Sequence, residues 1–317
     1  MLEDVMNREA VLDRLRGCYL ALPTLFGEGF ALNLGGMRRH VEFMIENGLR
    51  EGNATFLVSG ATGEFPVLSI DERKRTAETV VDAAAGRVGV IVGAQSLSTL
   101  QAADIARHAQ QIGADALQVS APFYFPPTDD DVLEHVATIA AAAPDLGIVF
   151  YPTWWLGYST SLEMIARLAD IAQVVALKWS APGVLEYQLG LKRFRDRLGM
   201  IDNMLLPILS KMMGAIGTNL HPAMFWPEWG VRLWAALESA DWDAAQADVD
   251  LLLLPFYDII RDIGRVTGGE GHIDKLALDL VGLPGGITRP PTRPLPQVFR
   301  DRLRRLCLQA GVPLNRV

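Results

Sequence analysis

At 317 residues, 50% of them hydrophobic and 21% charged, the chain has the material for a large globular core, either one α/β barrel or two smaller domains. Its formal net charge of -8 and pI near 5.2 exclude nucleic acid and anionic membrane surfaces as main partners. Cys18 and Cys307 stand far apart and outside any Cys/His cluster, which argues against a disulfide framework or a structural zinc site and fits a reducing cytoplasm.

Residues 1–16 alternate acids and arginines without an apolar core, unlike a secretory leader. Short β-type runs then recur at Cys18–Leu22, Ala54–Val58, Val88–Val92, Ala116–Val119, Gly147–Tyr151, Val174–Leu177, Gly199–Ile201 and Ala215–Thr218. Amphipathic helical patterns separate the earlier ones, at Leu34–Glu46, Ile70–Ala84, Leu97–Gln111, Asp129–Ala142, Leu162–Asp170 and Val184–Arg197. Strand-helix alternation predicts a parallel sheet, and eight such units are the number that closes a (β/α)8 TIM barrel, here over residues 1–220. From 221 to 317 the pattern turns helical, with candidates at Pro222–Ser239, Asp243–Val266, Ile273–Val281 and Gln297–Ala310, read as a region packed on the barrel. The apolar run Leu251–Ile260 is short and interrupted by Pro255, so no membrane span is expected. Residues 283–294 form a Pro/Gly-rich connector that no helix can cross.

Lys178 ends the apolar run Val174–Leu177, at the strand end where such folds place their chemistry. The chain has five lysines, so this one is not drawn from a lysine-dense surface. A desolvated lysine loses its proton and becomes an amine nucleophile able to condense with a carbonyl. Position alone leaves open a lysine that reaches out of the strand end to solvent. One unit earlier, Tyr151 places a phenol at the neighbouring strand end, where it can move protons to and from a carbinolamine or be a rim aromatic. The second strand runs into Ser59-Gly-Ala-Thr-Gly-Glu64, a turn whose N–H groups and Thr62 hydroxyl can hold a substrate carboxylate, though a strand-to-helix turn needs these residue types for structure alone. Ser69 and Glu72 have the spacing of a capping box for the helix that follows. The loop Ser120-Ala-Pro-Phe-Tyr124-Phe-Pro-Pro suits pocket lining or a subunit contact. His108, His135 and His221 lack ligand spacing and read as surface or packing residues.

Taken in order, these residues resemble the dihydrodipicolinate synthase and N-acetylneuraminate lyase superfamily of Schiff-base aldolases and dehydratases. The resemblance runs from Arg16-Gly17 through Gly60-Ala-Thr-Gly-Glu64, Ala121-Pro-Phe-Tyr124, Tyr151, Leu177-Lys178 and Gly214-Ala-Ile-Gly217 to Lys275 and the Gly282-Leu-Pro-Gly-Gly-Ile-Thr-Arg tail. It implies a (β/α)8 barrel with a C-terminal helical extension, a homotetramer built from dimers, no metal and no cofactor. By position it implies Lys178 as the Schiff-base lysine, Tyr151 as the proton-transfer tyrosine, Ala61 and Thr62 as the carboxylate cradle, Ile216 as the residue whose backbone carbonyl faces the site, and Tyr124 as a residue lent by the neighbouring subunit. The implied substrate is pyruvate or a longer 2-oxo acid.

The chain also departs from the synthases. Ala61 stands where they carry a hydroxyl, so the hydroxyl relay to the tyrosine is broken. Their Y-N-x-P-x-R-T-G segment is replaced by Tyr151-Pro-Thr-Trp-Trp-Leu-Gly157, without the arginine that binds a second carboxylate, and Trp179 follows the lysine in place of an acid. Trp154, Trp155 and Trp179 either put apolar faces at the strand ends, favouring a neutral aldehyde or a hydroxylated 2-oxo acid, or point away and pack against helices. Dihydrodipicolinate synthase remains the nearest alternative, and a non-catalytic barrel with a binding or regulatory role the alternative of another class.

Overall fold

In the computed structural model, which describes residues 6–315, eight parallel strands close into a barrel in sequence order. They are β1 (Gly17–Ala21), β2 (Ala54–Val58), β3 (Gly89–Gly93), β4 (Ala116–Val119), β5 (Gly147–Phe150), β6 (Val174–Trp179), β7 (Gly199–Asp202) and β8 (Gly217–Asn219), and β8 pairs back onto β1. Helices α1 (Arg8–Arg14), α2 (Leu34–Glu46), α3 (Ile70–Ala84), α4 (Thr99–Gln111), α5 (Asp129–Ala142), α6 (Leu162–Leu168), α7 (Val184–Phe194) and α8 (Pro207–Met212) precede β8. After it come α9 (Pro227–Glu238), α10 (Trp242–Asp248), α11 (Leu254–Ile263), α12 (His272–Val281) and α13 (Gln297–Ala310). No helix among the described residues is long and apolar enough to cross a membrane. Of the stretch read as unlike a leader, residues 1–5 lie outside the described residues.

Period-2 alternation decides which side chains enter the barrel. Tyr19 and Ala21 of β1, Leu57 of β2, Ile91 of β3, Ala116 of β4, Val149 of β5, Ala176 of β6 and Ile201 of β7 form one interior cluster. Their neighbours Cys18, Leu20, Phe56, Val90, Leu117, Phe150, Leu177 and Met200 belong to the outer layer under the helices. Helix α1, which the sequence reading missed, presents Val11 and Leu12 to the interior cluster and so closes the amino-terminal end. The carboxyl-terminal end is left for the site. Ser69 caps α3 with Glu72 in the predicted reciprocal arrangement.

Two other boundaries differ from expectation. Residues 243–266 are not one α-helix, because a π-helical turn over Val249–Leu253 separates α10 from α11. That turn changes the phase of α11 and sets Tyr257, Ile260 and Gly264 along one face that lines the pocket. The last strand begins at Gly217 rather than Ala215, since the Ala215 N–H still closes the turn onto Ser210. The connector 283–294 carries no helix, as its composition requires. It is anchored by Lys275, whose buried ammonium pairs with the Glu64 carboxylate and donates to the Ile287 carbonyl at 2.7 Å. Arg289 extends the tie, donating to both Glu72 oxygens at 2.5 and 2.8 Å.

Candidate active site

Lys178 is the penultimate residue of β6 and, by the alternation, points inward. It is 5% exposed at the base of a cavity of about 380 Å³ at the carboxyl ends of the strands. Its Nζ lies 4.7 Å from the Tyr151 ring centroid and 5.0 Å from that of Tyr19, and forms no salt bridge among the described residues. Burial pushes its pKa down from 10.5 to about 8, against the opposing pull of the Glu270 carboxylate. Lys178 is the one lysine or arginine among the described residues that line the cavity.

Tyr151 follows β5 and its hydroxyl accepts a hydrogen bond from Asn203 Nδ2 at 3.3 Å. Burial, with Glu270 adding to it, pushes the phenol well above its ordinary range, while the Asn203 bond pulls the other way. Asn203 is placed by the turn after β7, which the buried Asp202 carboxylate organises by accepting from the Met204 and Leu206 N–H groups at 2.9 and 3.1 Å, from the Tyr187 hydroxyl at 2.7 Å and from the Thr218 hydroxyl at 3.0 Å. On the far wall, Tyr19 donates to Gln118 Oε1 at 2.7 Å.

Ala61 and Thr62 line the same cavity, and among the described residues their backbone N–H groups donate to no protein acceptor. The Thr62 hydroxyl donates to Glu270 Oε2 at 3.3 Å. Glu270 belongs to the segment Gly268-Gly-Glu-Gly-His-Ile-Asp274, which folds over the cavity between α11 and α12. Gly271, at φ +85°, makes this possible, because a Cβ there would lie 2.2 Å from the Thr62 carbonyl oxygen.

The structure thus brings Lys178, Tyr151, Ala61, Thr62 and Trp155 together, with the Trp155 ring edge-on to Tyr151 at 5.8 Å. Four expectations are corrected. Ile216 precedes β8, its carbonyl accepts from the Gly17 N–H at 2.9 Å and its side chain joins the interior cluster, so Asn219 is the β8 residue that reaches the cavity. Trp179, one residue beyond an inward lysine, faces outward, stacks on Tyr187 at 6.3 Å and lies on Gly190, where a Cβ would meet its ring at 2.3 Å. Trp154 is edge-on to Trp155 at 5.5 Å and lines a side cavity with Trp179 instead. His221 is no surface or packing residue but lines the cavity, hydrogen-bonded to Asp274. Tyr124 is 74% exposed on the loop after β4 and does not reach its own chain's cavity.

Residues 14–310 match the model of the dihydrodipicolinate synthetase family. The chain belongs to that family. It is 31% identical over 307 residues to the 4-hydroxy-tetrahydrodipicolinate synthase of Gluconacetobacter diazotrophicus, covering 94% of this chain and 97% of that protein. It is 32% identical over 297 residues to the same-named enzyme of Thermomicrobium roseum, covering 91% and 92%. Among solved structures, dihydrodipicolinate synthase from Aquifex aeolicus superposes with a TM-score of 0.82 at 25% identity, over 95% of this chain and all of that one. Proteus mirabilis N-acetylneuraminate lyase shares the fold, with a TM-score of 0.81 at 24% identity over 93% and 98% of the two chains. As a family member, the protein is a lyase of the Schiff-base-forming type.

Proposed function

We propose that Lys178 forms an imine with the C2 carbonyl of pyruvate or a longer 2-oxo acid, and that Tyr151 moves the protons of that step. The observation that carries this reading is an amine buried between two aromatic rings without a carboxylate partner, which favours its neutral, nucleophilic form. The free N–H groups of Ala61 and Thr62 and the Thr62 hydroxyl receive the substrate carboxylate, with Glu270 swinging aside. Lys178 adds to C2, Tyr151 protonates the departing hydroxyl, and the resulting iminium draws electrons from C3 when a proton or a carbon substituent leaves. Tyr124, exposed and away from its own chain's cavity, acts in a neighbouring subunit's site, and the enzyme works as a dimer or tetramer. The cytoplasm suits two buried free cysteines.

Pyruvate followed by borohydride should give one covalent adduct, located on Lys178 by peptide mass mapping. An adduct on another lysine, or none with any 2-oxo acid, refutes the assignment. The second reading, dihydrodipicolinate synthase, has the names of the relatives in its favour. Against it, a distal carboxylate would find no lysine or arginine in the cavity lining besides Lys178 itself. Aspartate semialdehyde with pyruvate is therefore expected to be a poor pair, and kcat/KM above about 10⁴ M⁻¹s⁻¹ would restore the synthase reading.

A further inference from the structure

One buried pair in the cavity wall plays no part in forming the imine. His221 opens the single helical turn that follows β8, and Asp274 lies in the first turn of α12. The His221 Nδ1 is 3.0 and 3.1 Å from the two Asp274 oxygens. His221 is 7% exposed and Asp274 1%, and the imidazole is further held by an edge-on contact with Tyr257 at 5.6 Å. A carboxylate accepting from Nδ1–H fixes the tautomer, so Nε2 is the nitrogen that gains and loses a proton. Nε2 hydrogen-bonds to no described residue, and both His221 and Asp274 line the cavity.

The barrel order places this pair on the opposite side of Lys178 from Tyr151, with Tyr151 after β5, Lys178 on β6 and His221 after β8. A carbonyl joined to Lys178 through C2 thus has one proton-handling group on each flank. Burial pushes the imidazole pKa down, but the Asp274 carboxylate, aided by Glu270 and opposed by Lys178, outweighs it and the net direction is upward. That direction favours the protonated imidazole.

Resting on the Schiff-base reading above, we infer that His221, oriented by Asp274, is the catalytic acid and base for the oxygen of the second substrate, and that this substrate is an aldehyde without a carboxylate. In condensation the enamine pair of C2=C3 forms the new C3–C4 bond. The aldehyde π pair moves onto oxygen, which takes the proton from Nε2, and the Lys178 nitrogen becomes iminium again. The proton lost from C3 when the enamine formed balances the one delivered to oxygen, and water then hydrolyses the iminium to release a 4-hydroxy-2-oxo acid. Cleavage reverses each movement, with neutral His221 taking the hydroxyl proton. A carboxylate on the aldehyde would face Glu270 and Asp274, and no lysine or arginine lines the cavity besides Lys178, which is taken up by the imine.

The test uses the full chain with pyruvate and three neutral aldehydes, namely glycolaldehyde, glyceraldehyde and benzaldehyde. The wild type should condense at least one of them. His221→Gln should keep the borohydride adduct on Lys178 and the hydrogen-deuterium exchange at pyruvate C3 within about three-fold, while condensation falls by about 10² to 10³. Asp274→Asn, acting through His221, should lower kcat about tenfold with the pyruvate KM unchanged, and Asp274→Glu should recover part of it. Three results overturn the inference: a wild type that forms the adduct but accepts none of the three aldehydes, a His221→Gln enzyme condensing within five-fold of wild type, or adduct formation and exchange falling in step with condensation. A wild type that forms no adduct would instead remove the Schiff-base reading on which this one rests.

Discussion

Glu270 offers the sharpest test of how Lys178 is activated. Burial shifts the lysine from 10.5 to about 8 while Glu270 holds it up, a net bias of about 3 kcal/mol at 1.36 kcal/mol per unit. At pH 7.5 that bias makes roughly one quarter of the lysine neutral, against roughly one in a thousand for an unperturbed side chain. Glu270→Gln removes the opposing charge. Because Glu270 is exposed, water screens it, and the midpoint should fall by about half a unit to one unit. The sign follows directly: the reactive form is the amine, so imine formation rises with pH through the lysine pKa and levels off above it. Wild type should therefore climb to a plateau with a midpoint near 8, and the variant should reach its plateau earlier. The assay mixes enzyme with excess pyruvate at each pH, quenches at set times into borohydride at one fixed pH, and reads the adduct by intact mass. Reading the midpoint rather than the rate separates the charge effect from any gain in pyruvate affinity. A midpoint near 10 in wild type, or one that stays or rises in Glu270→Gln, refutes desolvation as the source of activation.

Tyr151→Phe should lower turnover by about 10² to 10⁴ while the adduct still forms slowly, and turnover within a few-fold of wild type would make the phenol a rim residue only. Lys275→Met leaves the Glu64 carboxylate buried without its partner and should cost about 3 to 5 kcal/mol in urea unfolding. Pairing that change with Glu64→Gln should recover much of the loss, and a single-variant cost below about 1 kcal/mol would mean that solvent already reaches the pair.

The parts of the site that end a regular strand were legible from the sequence. Lys178, Tyr151 and Thr62 each close or follow a short apolar run, and a parallel barrel puts such positions around one opening. The outward turn of Trp179 followed from the same alternation but was not drawn from it: successive strand residues face opposite sides, so the residue after an inward lysine faces outward. Ile216 was implied by the resemblance alone. The strand read over Ala215–Thr218 starts at Gly217, because Ala215 still belongs to the preceding turn, and Ile216 lies at the end of the barrel that faces helix α1. His221, Asp274 and Glu270 had no periodic signal, since they come from a single helical turn, a helix start and a glycine-rich crossing. Glu270 and Asp274 leave one compositional trace, since Gly268-Gly-Glu-Gly-His-Ile-Asp274 sets them and His272 among glycines that let the backbone press against Thr62, and His221 leaves none.

Losing the hydroxyl at position 61 changes how the phenol of Tyr151 is supported, and the structure supplies a different support. The Asn203 side chain donates to the Tyr151 oxygen, and a donor stabilises a phenolate more than a phenol. With burial holding the resting phenol protonated, the proposed mechanism has Tyr151 begin as an acid and give its proton to the hydroxyl leaving C2. In that mechanism the phenolate so formed keeps the Asn203 bond and lies beside the new iminium, whose positive charge stabilises it. It is then placed to act as the base that removes the C3 proton, so one residue serves both steps without a relay through position 61. Asp202 holds the turn that carries that amide through the four donors it accepts, so in this mechanism a carboxylate outside the cavity lining positions the group that supports Tyr151.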